Sequence, residues 1–476
     1  MSRPRPRPSP AAGLALLPAL LAACASYPDR LRSAVRDFEA GDNQRALAVF
    51  SDRDKVKSRF LQGAEAGTVA FSELDWPGAV AHFERAVAAV RDFEDRAVLG
   101  EGALETLGTL TFNETAAEYP GEGFERVLLH SFLALCYLAQ GDLQSLRVET
   151  RRANQLLERE EELYEKRYQA GGLGHFLSAS AYLLEGDLDD ALIDYRRMLD
   201  KSVGLGVAGP EAARIVRRLG RHEEFPDLLA QHPDFPALPG AGERPAWIVV
   251  IAGVGLAPFK EERMLAFPTP AGVISMAVPV YVSRYQPVEG MRLELPLAGA
   301  AFELATLEEV EQVARENLDD RLATLAAKTA IRNAARLALR NNLQDNGSGG
   351  ALAALAVDVY SLVAERADLR SWLTLPQRFQ ALRLAVPPGE HELLLDAPGA
   401  GRVELGRRYL EPGETLFVLG RSVGTRLSAA AVGGQPVFGS SLAPSPDSEA
   451  LDPLDALDLL NRIDRSLEPA PAPGQP

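Results

Sequence analysis

The 476-residue sequence is poor in the residues from which compact chemical sites are usually built: two Cys, three Trp, five Met and six His. The histidines are scattered, and none has a metal-ligand neighbour at helical or ribbon spacing, so no metal site is expected. HExxH, CxxC and Walker-type phosphate loops are absent. Gly253-Val254-Gly255 followed by Lys260 is not a phosphate cradle, because the lysine does not follow a glycine and no Ser or Thr follows it. No Gly-x-Ser-x-Gly elbow occurs either. No catalytic residue and no cofactor is therefore expected, and the chain reads as a non-enzyme. The acids Glu158, Glu160, Glu161 and Glu162 cluster, but such a run on a helix is ordinarily a solvated face. Positive charge is also short: 50 Lys and Arg stand against 66 Asp and Glu, a net −16. Nucleic acid is excluded as a partner on that ground, since its recognition needs Lys and Arg to neutralise phosphate. No stretch reaches the ~20 apolar residues that a spanning helix requires.

The first residues carry the strongest positive signal. Arg3, Arg5 and Arg7 form a basic n-region without an offsetting acid. Ala11 to Ala23 is uncharged and mostly apolar, interrupted by Gly13 and Pro18, which suits a signal-peptide h-region. It ends in Leu21-Ala22-Ala23-Cys24, which resembles the lipobox of bacterial lipoproteins. The alternative is an ordinary secretory signal cut at an Ala-x-Ala-like site. The lipobox resemblance implies a signal peptide over 1–23 and a mature chain beginning at a lipidated Cys24. Several acyl chains, palmitate among them, would then anchor the protein to a membrane. An Asp directly after the cysteine usually retains such proteins at the inner membrane. Ala25 and Ser26 follow here, which implies the outer membrane, with the body in the periplasm. Once Cys24 is lipidated, Cys136 has no thiol to pair with, and its apolar helical setting reads as buried packing.

From about Leu31 to Gly220 apolar residues recur at three- and four-residue spacing, a helical pattern. A turn-and-helix phrase returns four times: Gly41-Asp42 with Ala46 and Phe50, Asp75 with Ala79 and Phe83, Gly141-Asp142 with Leu146, and Gly186-Asp187 with Ala191 and Tyr195. The glycine closes one helix in the left-handed conformation, and the aspartate caps the next. The small alanine lets paired helices approach. The aspartates lie 33, 67 and 45 residues apart. These phrases resemble degenerate tetratricopeptide repeats; an irregular helical bundle is the other architecture they allow. A helical domain is expected over 24–224.

A Pro/Gly linker follows over 225–245, with Pro226, Pro233, Pro236, Pro239 and Pro245. Strands are expected at Trp247–Ile251, Gly272–Val278, Met291–Leu295, Phe379–Val386, Glu390–Leu395, Gly401–Leu405 and Thr415–Leu419. Thr306 with Glu309 reads as a capping box opening a long helix to about Arg340. Asn346–Gly350 would turn the chain into a second helix through Glu365. The fold class that results is multidomain: all-α tetratricopeptide-like repeats followed by an α+β domain over 246–431. That domain would be an antiparallel sheet or sandwich with an inserted helical hairpin. Residues 432–476 are rich in Pro, Ser and Ala and read as a disordered tail. Within it Leu451 to Leu467 could form a short amphipathic helix.

Two segments stand out: Tyr119-Pro120-Gly121-Glu122-Gly123-Phe124-Glu125-Arg126, leading through His130 to Val148–Asn154, and Ala367–Pro376 with Trp372 at its centre. With these, the chain resembles a family of uncharacterised bacterial outer-membrane lipoproteins that join tetratricopeptide-like repeats to a C-terminal α+β domain. The resemblance covers most of the mature chain. It implies no established activity, and a cell-envelope role is the expectation it carries. Glu149, Arg151, Arg152 and Asn154 are the candidate partner-binding residues, because Arg forks and Asn amides suit peptide recognition. Glu149 and Arg152 could equally be an ordinary surface pair. Trp372 reads as a plug in the core or between domains. The expected role is a membrane-anchored adaptor binding envelope proteins or peptides, in cell-wall or outer-membrane biogenesis. The alternative is a lipoprotein that binds or processes peptidoglycan or polysaccharide.

Overall fold

The computed structural model describes residues 26–98, 118–164, 170–269, 272–319 and 367–437. The expected signal peptide with Cys24, the expected helical hairpin beyond Asp319 including Asn346–Gly350, and the expected helix over Leu451–Leu467 fall outside these residues. Helices fill the N-terminal part and sheets the C-terminal part, in four layers.

Helices α1 (Tyr27–Ala40), α2 (Asn43–Phe50), α3 (Arg59–Ser72), α4 (Trp76–Val98), α5 (Gly123–Ala139), α6 (Leu143–Tyr164), α7 (Gly172–Glu185), α8 (Leu188–Asp200), α9 (Leu205–Leu219) and α10 (Pro226–Gln231) succeed one another. Local hydrogen bonds explain where most of them start. Asp42, Asp75, Asp142 and Asp187 each accept the backbone N–H three residues on, at 3.0–3.3 Å. Gly41, Gly141 and Gly186 precede three of them with φ of 82°, 75° and 81°. Before Asp75 the left-handed position falls to Leu74, with φ of 63°. Ala46, Ala79 and Ala191 are fully buried where neighbouring helices meet, and Phe50, Phe83 and Tyr195 fill the space beside them.

Helices α3, α5 and α7 are buried on nearly every face. Such all-round burial marks a middle layer: α4, α6 and α8 cover one side and a sheet covers the other. That inner sheet has the strand order β11-β10-β1-β7-β6. Its strands are β1 (Ala246–Val254), β6 (Ala305–Glu309), β7 (Arg378–Val386), β10 (Thr415–Val423) and β11 (Arg426–Val432). Strand β1 is an unbroken apolar run because both of its faces are covered. Val249 and Ile251 face the helices, while Ile248, Val250 and Ala252 face a second five-stranded sheet. The second sheet includes β4 (Arg292–Leu295), β8 (Gly389–Ala397) and β9 (Gly401–Leu410), with Leu293, Leu295, Leu393 and Leu395 in the shared core. A separate hairpin pairs β2 (Phe259–Thr269) with β3 (Gly272–Val282).

Four expectations need amendment. The sheets are not wholly antiparallel, because β1 runs parallel to β10 in register Trp247 to Thr415. Thr306 to Glu309 is strand rather than a capping box. Thr306 pairs with Gln380, and helix begins only at residue 310. Pairing with β7 supplies backbone partners that override the local helix signal. Glu308 still caps a helix, though a distant one: its carboxylate accepts the N–H groups of Gly171 and Leu173 at the start of α7. The 225–245 stretch contains α10 and pairs Leu238 with Ala385, and β12 (Gln435–Pro436) pairs with β9 beyond Val432.

Candidate functional site

Two places concentrate polar groups: a seam between the helices and the inner sheet, and the surface flanking α6.

The seam is built by residues 367–377, which cross from the hairpin side into β7. The Trp372 N–H donates to Glu125 Oε1 at 2.7 Å, and the Leu373 and Thr374 N–H groups donate to Glu65 at 2.7 and 2.9 Å. Trp372, 1% exposed, is ringed by Phe60, Phe83 and Phe132, and its indole N–H reaches Thr68 and Thr374. Burial pushes both Glu65 and Glu125 up to about 7, against the hydrogen bonds that favour their charged forms. Lys260 pairs with buried Glu122 at 2.7 Å, and Arg421 extends to carbonyls of Gly253, Ser422 and Thr374. Perturbed carboxylates can mark catalytic sites. Here each faces backbone N–H groups of its own chain rather than a cleft, so the seam holds the layers together.

The surface of α6 is different. Glu149 points inward and is almost fully buried. One of its oxygens lies 2.6 Å from His130 Nδ1 on α5, and the other accepts from Arg152 Nη1 at 2.6 Å. Arg152 belongs to a cleft of about 170 Å³ between α4, α5 and α6. Arg91, Arg126, Arg152 and Arg159 surround that cleft with His130, and Glu94 is the single lining acid among the described residues. Arg126 divides itself between Glu94 and Glu160. Arg91 and Arg159 have no ion-pair partner among the described residues, and both are exposed. The floor is apolar, with Val87, Val90 and Leu129.

Arg151 and Asn154 lie on the other flank of α6, towards α7 and α8, in a cleft of about 350 Å³. A helix advances 100° per residue, so positions 149 and 152 share one flank and 151 and 154 the other. The structure thus joins Glu149 to Arg152 and separates them from Arg151 and Asn154. Gln155 lines both clefts. On the second flank His175 Nδ1 meets Asp194 Oδ1 at 3.0 Å, and Asn154 reaches the same oxygen at 3.5 Å. Both carboxylate–histidine pairs span 19 residues.

Sequence reasoning missed Arg91, Arg126 and Arg159 as members of the site. The one signal that bore on it is that His130 and His175 each stand twelve residues before the aspartate of a Gly-Asp turn. Among the described residues no group of three or more His, Cys, Asp or Glu could hold a metal ion, and no helix is long and apolar enough to cross a membrane. No protein-family model matches this chain, and no curated protein matches it.

Proposed function

We propose that this chain is a lipoprotein anchored through Cys24 to the outer membrane, with its body in the periplasm. There it acts as an adaptor whose helical region holds an acidic segment of another envelope protein. One observation carries the binding half: four arginines converge on a single cleft in a chain of net charge −16. Arginine forks bind carboxylates in pairs of parallel hydrogen bonds. Buried Glu149 supports this by fixing the Arg152 side chain from below. The apolar floor would take the aliphatic parts of the ligand.

The helical region is read here as tetratricopeptide-like repeats. Forty-five residues separate His130 from His175, Asp142 from Asp187, Glu149 from Asp194 and Arg152 from Arg197. Sixty-seven separate Val87 from Asn154, Arg91 from Glu158 and Glu94 from Glu161, which line clefts on successive flanks of α6. Stacked helix pairs present repeated grooves of this kind.

Two measurements test the proposal. Metabolic labelling with a palmitate analogue should mark the chain, and Cys24→Ser should abolish the label and release the body from membranes. A fluorescent peptide rich in glutamate should bind the full chain with an affinity that falls with salt. Paired reversal at Arg91→Glu and Arg159→Glu should weaken it at least tenfold. Binding indifferent to both salt and reversal would remove the acidic-segment reading.

A further inference from the structure

A third cleft, on the α8 side of α6 beside the 350 Å³ one, has the opposite chemistry to the arginine cleft. It encloses about 170 Å³ between Asn154, Glu158 and Glu161 of α6, His175 of α7, and Arg197 and Lys201 of α8. The positively charged groups are committed: Arg197 lies 3.2 Å from Glu158, and Lys201 lies 2.5 Å from Glu161. Asp200 completes the lining and Asp194 lies beneath it, so acids exceed bases.

Two buried acceptors there have no donor among the described residues. His175 is 2% exposed, and its Nδ1–H donates to Asp194. Desolvation holds its pKa below the usual imidazole range, so the ring is neutral and Nε2 carries a lone pair. That Nε2 is buried without a hydrogen-bond partner, and so is Asn154 Oδ1, whose amide nitrogen already points to Asp194. Leaving a buried acceptor unmet is costly, so two beside one cleft favour a donor that enters it.

We infer that this cleft binds a primary ammonium group carried on a peptide, such as a lysine side chain, through His175 Nε2 and Asn154 Oδ1. An ammonium brings three donors and no acceptor, which suits two orphaned acceptors and an acidic rim. A carboxylate would meet Glu158, Glu161 and Asp200, with Arg197 and Lys201 already paired to the first two. The contrast with the arginine cleft comes from single exchanges at corresponding positions: Arg91 stands where this cleft has Glu158, and Val87 where it has Asn154. The two clefts together would read a peptide bearing both an acid and an amine. The inference rests on the orphaned acceptors and survives without the arginine cleft.

The test uses the full chain in detergent, with cadaverine as the amine probe and glutarate as the matched anion. Side-chain nitrogen spectra of histidine-labelled protein should show the His175 Nε2 resonance moving with cadaverine and not with glutarate. Calorimetric titration should show Asn154→Leu weakening cadaverine binding at least tenfold, with a change at exposed Arg36, Arg36→Gln, leaving it unchanged. Circular dichroism confirms that both variants are folded. A His175 resonance indifferent to cadaverine, or equal affinity in Asn154→Leu, would overturn the inference and leave a cleft that holds only water.

Discussion

Glu65 holds Thr374 twice across 309 residues of chain: its Oε2 accepts the Thr374 N–H at 2.9 Å and the Thr374 hydroxyl at 2.7 Å. This double contact ties the centre of α3 to the strap that leads into β7. With Glu125 and Trp372 beside it, the strap lies against the inner side of α3 and α5. That face of the helical layer is therefore occupied by the chain's own C-terminal part, and the clefts around α6 face away from it.

Replacing Thr374 by valine keeps the shape and removes the hydroxyl. One carboxylate oxygen of Glu65 then loses a donor, and the Trp372 indole keeps only Thr68. The expected loss is about 1–2 kcal/mol in chemical denaturation. An unchanged midpoint would mean that the hydroxyl contributes nothing to the seam.

Stability should also depend on pH through the same seam. Glu65 and Glu125 lie near 7 in the folded chain, against an ordinary value of 4.5. Below 4.5 both states hold their protons. Between 4.5 and about 7 the unfolded chain releases protons that the folded chain keeps, so stability falls as pH rises and levels off above 7. Denaturation midpoints at pH 5 and pH 8 measure this, and Glu125→Gln should make the fall shallower. A seam that strengthens across the window would contradict the assignment.

Leu74 occupies a left-handed turn position that glycine fills before the other three aspartate caps. A side chain there costs roughly 1 kcal/mol. Leu74→Gly should therefore stabilise the protein by up to that amount, less whatever packing the half-buried side chain provides. Thermal melting of the variant gives the sign directly.

The parts of the fold that were legible in the sequence are those written in local chemistry. The caps at Asp42, Asp75, Asp142 and Asp187 are hydrogen bonds over three residues, so turn, helix start and spacing could all be read in advance. Strand β1 announced itself as a continuous apolar run. The parallel pairing of β1 with β10 was not legible, because nothing in either strand specifies a partner some 170 residues away. Glu308 shows the converse: the acid that does cap a helix is neither member of the local Thr306 and Glu309 pattern and acts on Gly171 and Leu173, far away in the chain. In the candidate site, α6 was singled out from its own residues. Arg91 and Arg126 come from α4 and α5 and converge only through packing, and Arg159 lies beyond the stretch that drew attention. The split between Arg152 and Arg151 follows from helical phase once the neighbours of α6 are known.

Gln155 is exposed between the arginine cleft and the 350 Å³ cleft, which makes it the place from which to test the account. A photo-reactive residue installed there, in cells with Cys24 intact, should yield one dominant adduct with an envelope protein. The crosslinked peptide should be acidic, and the adduct should disappear when Arg91 and Arg159 are both changed to glutamate. Glycan adducts would move the assignment to a polysaccharide-binding lipoprotein. A protein adduct that persists after charge reversal would contradict the claim that the arginine cleft holds the partner.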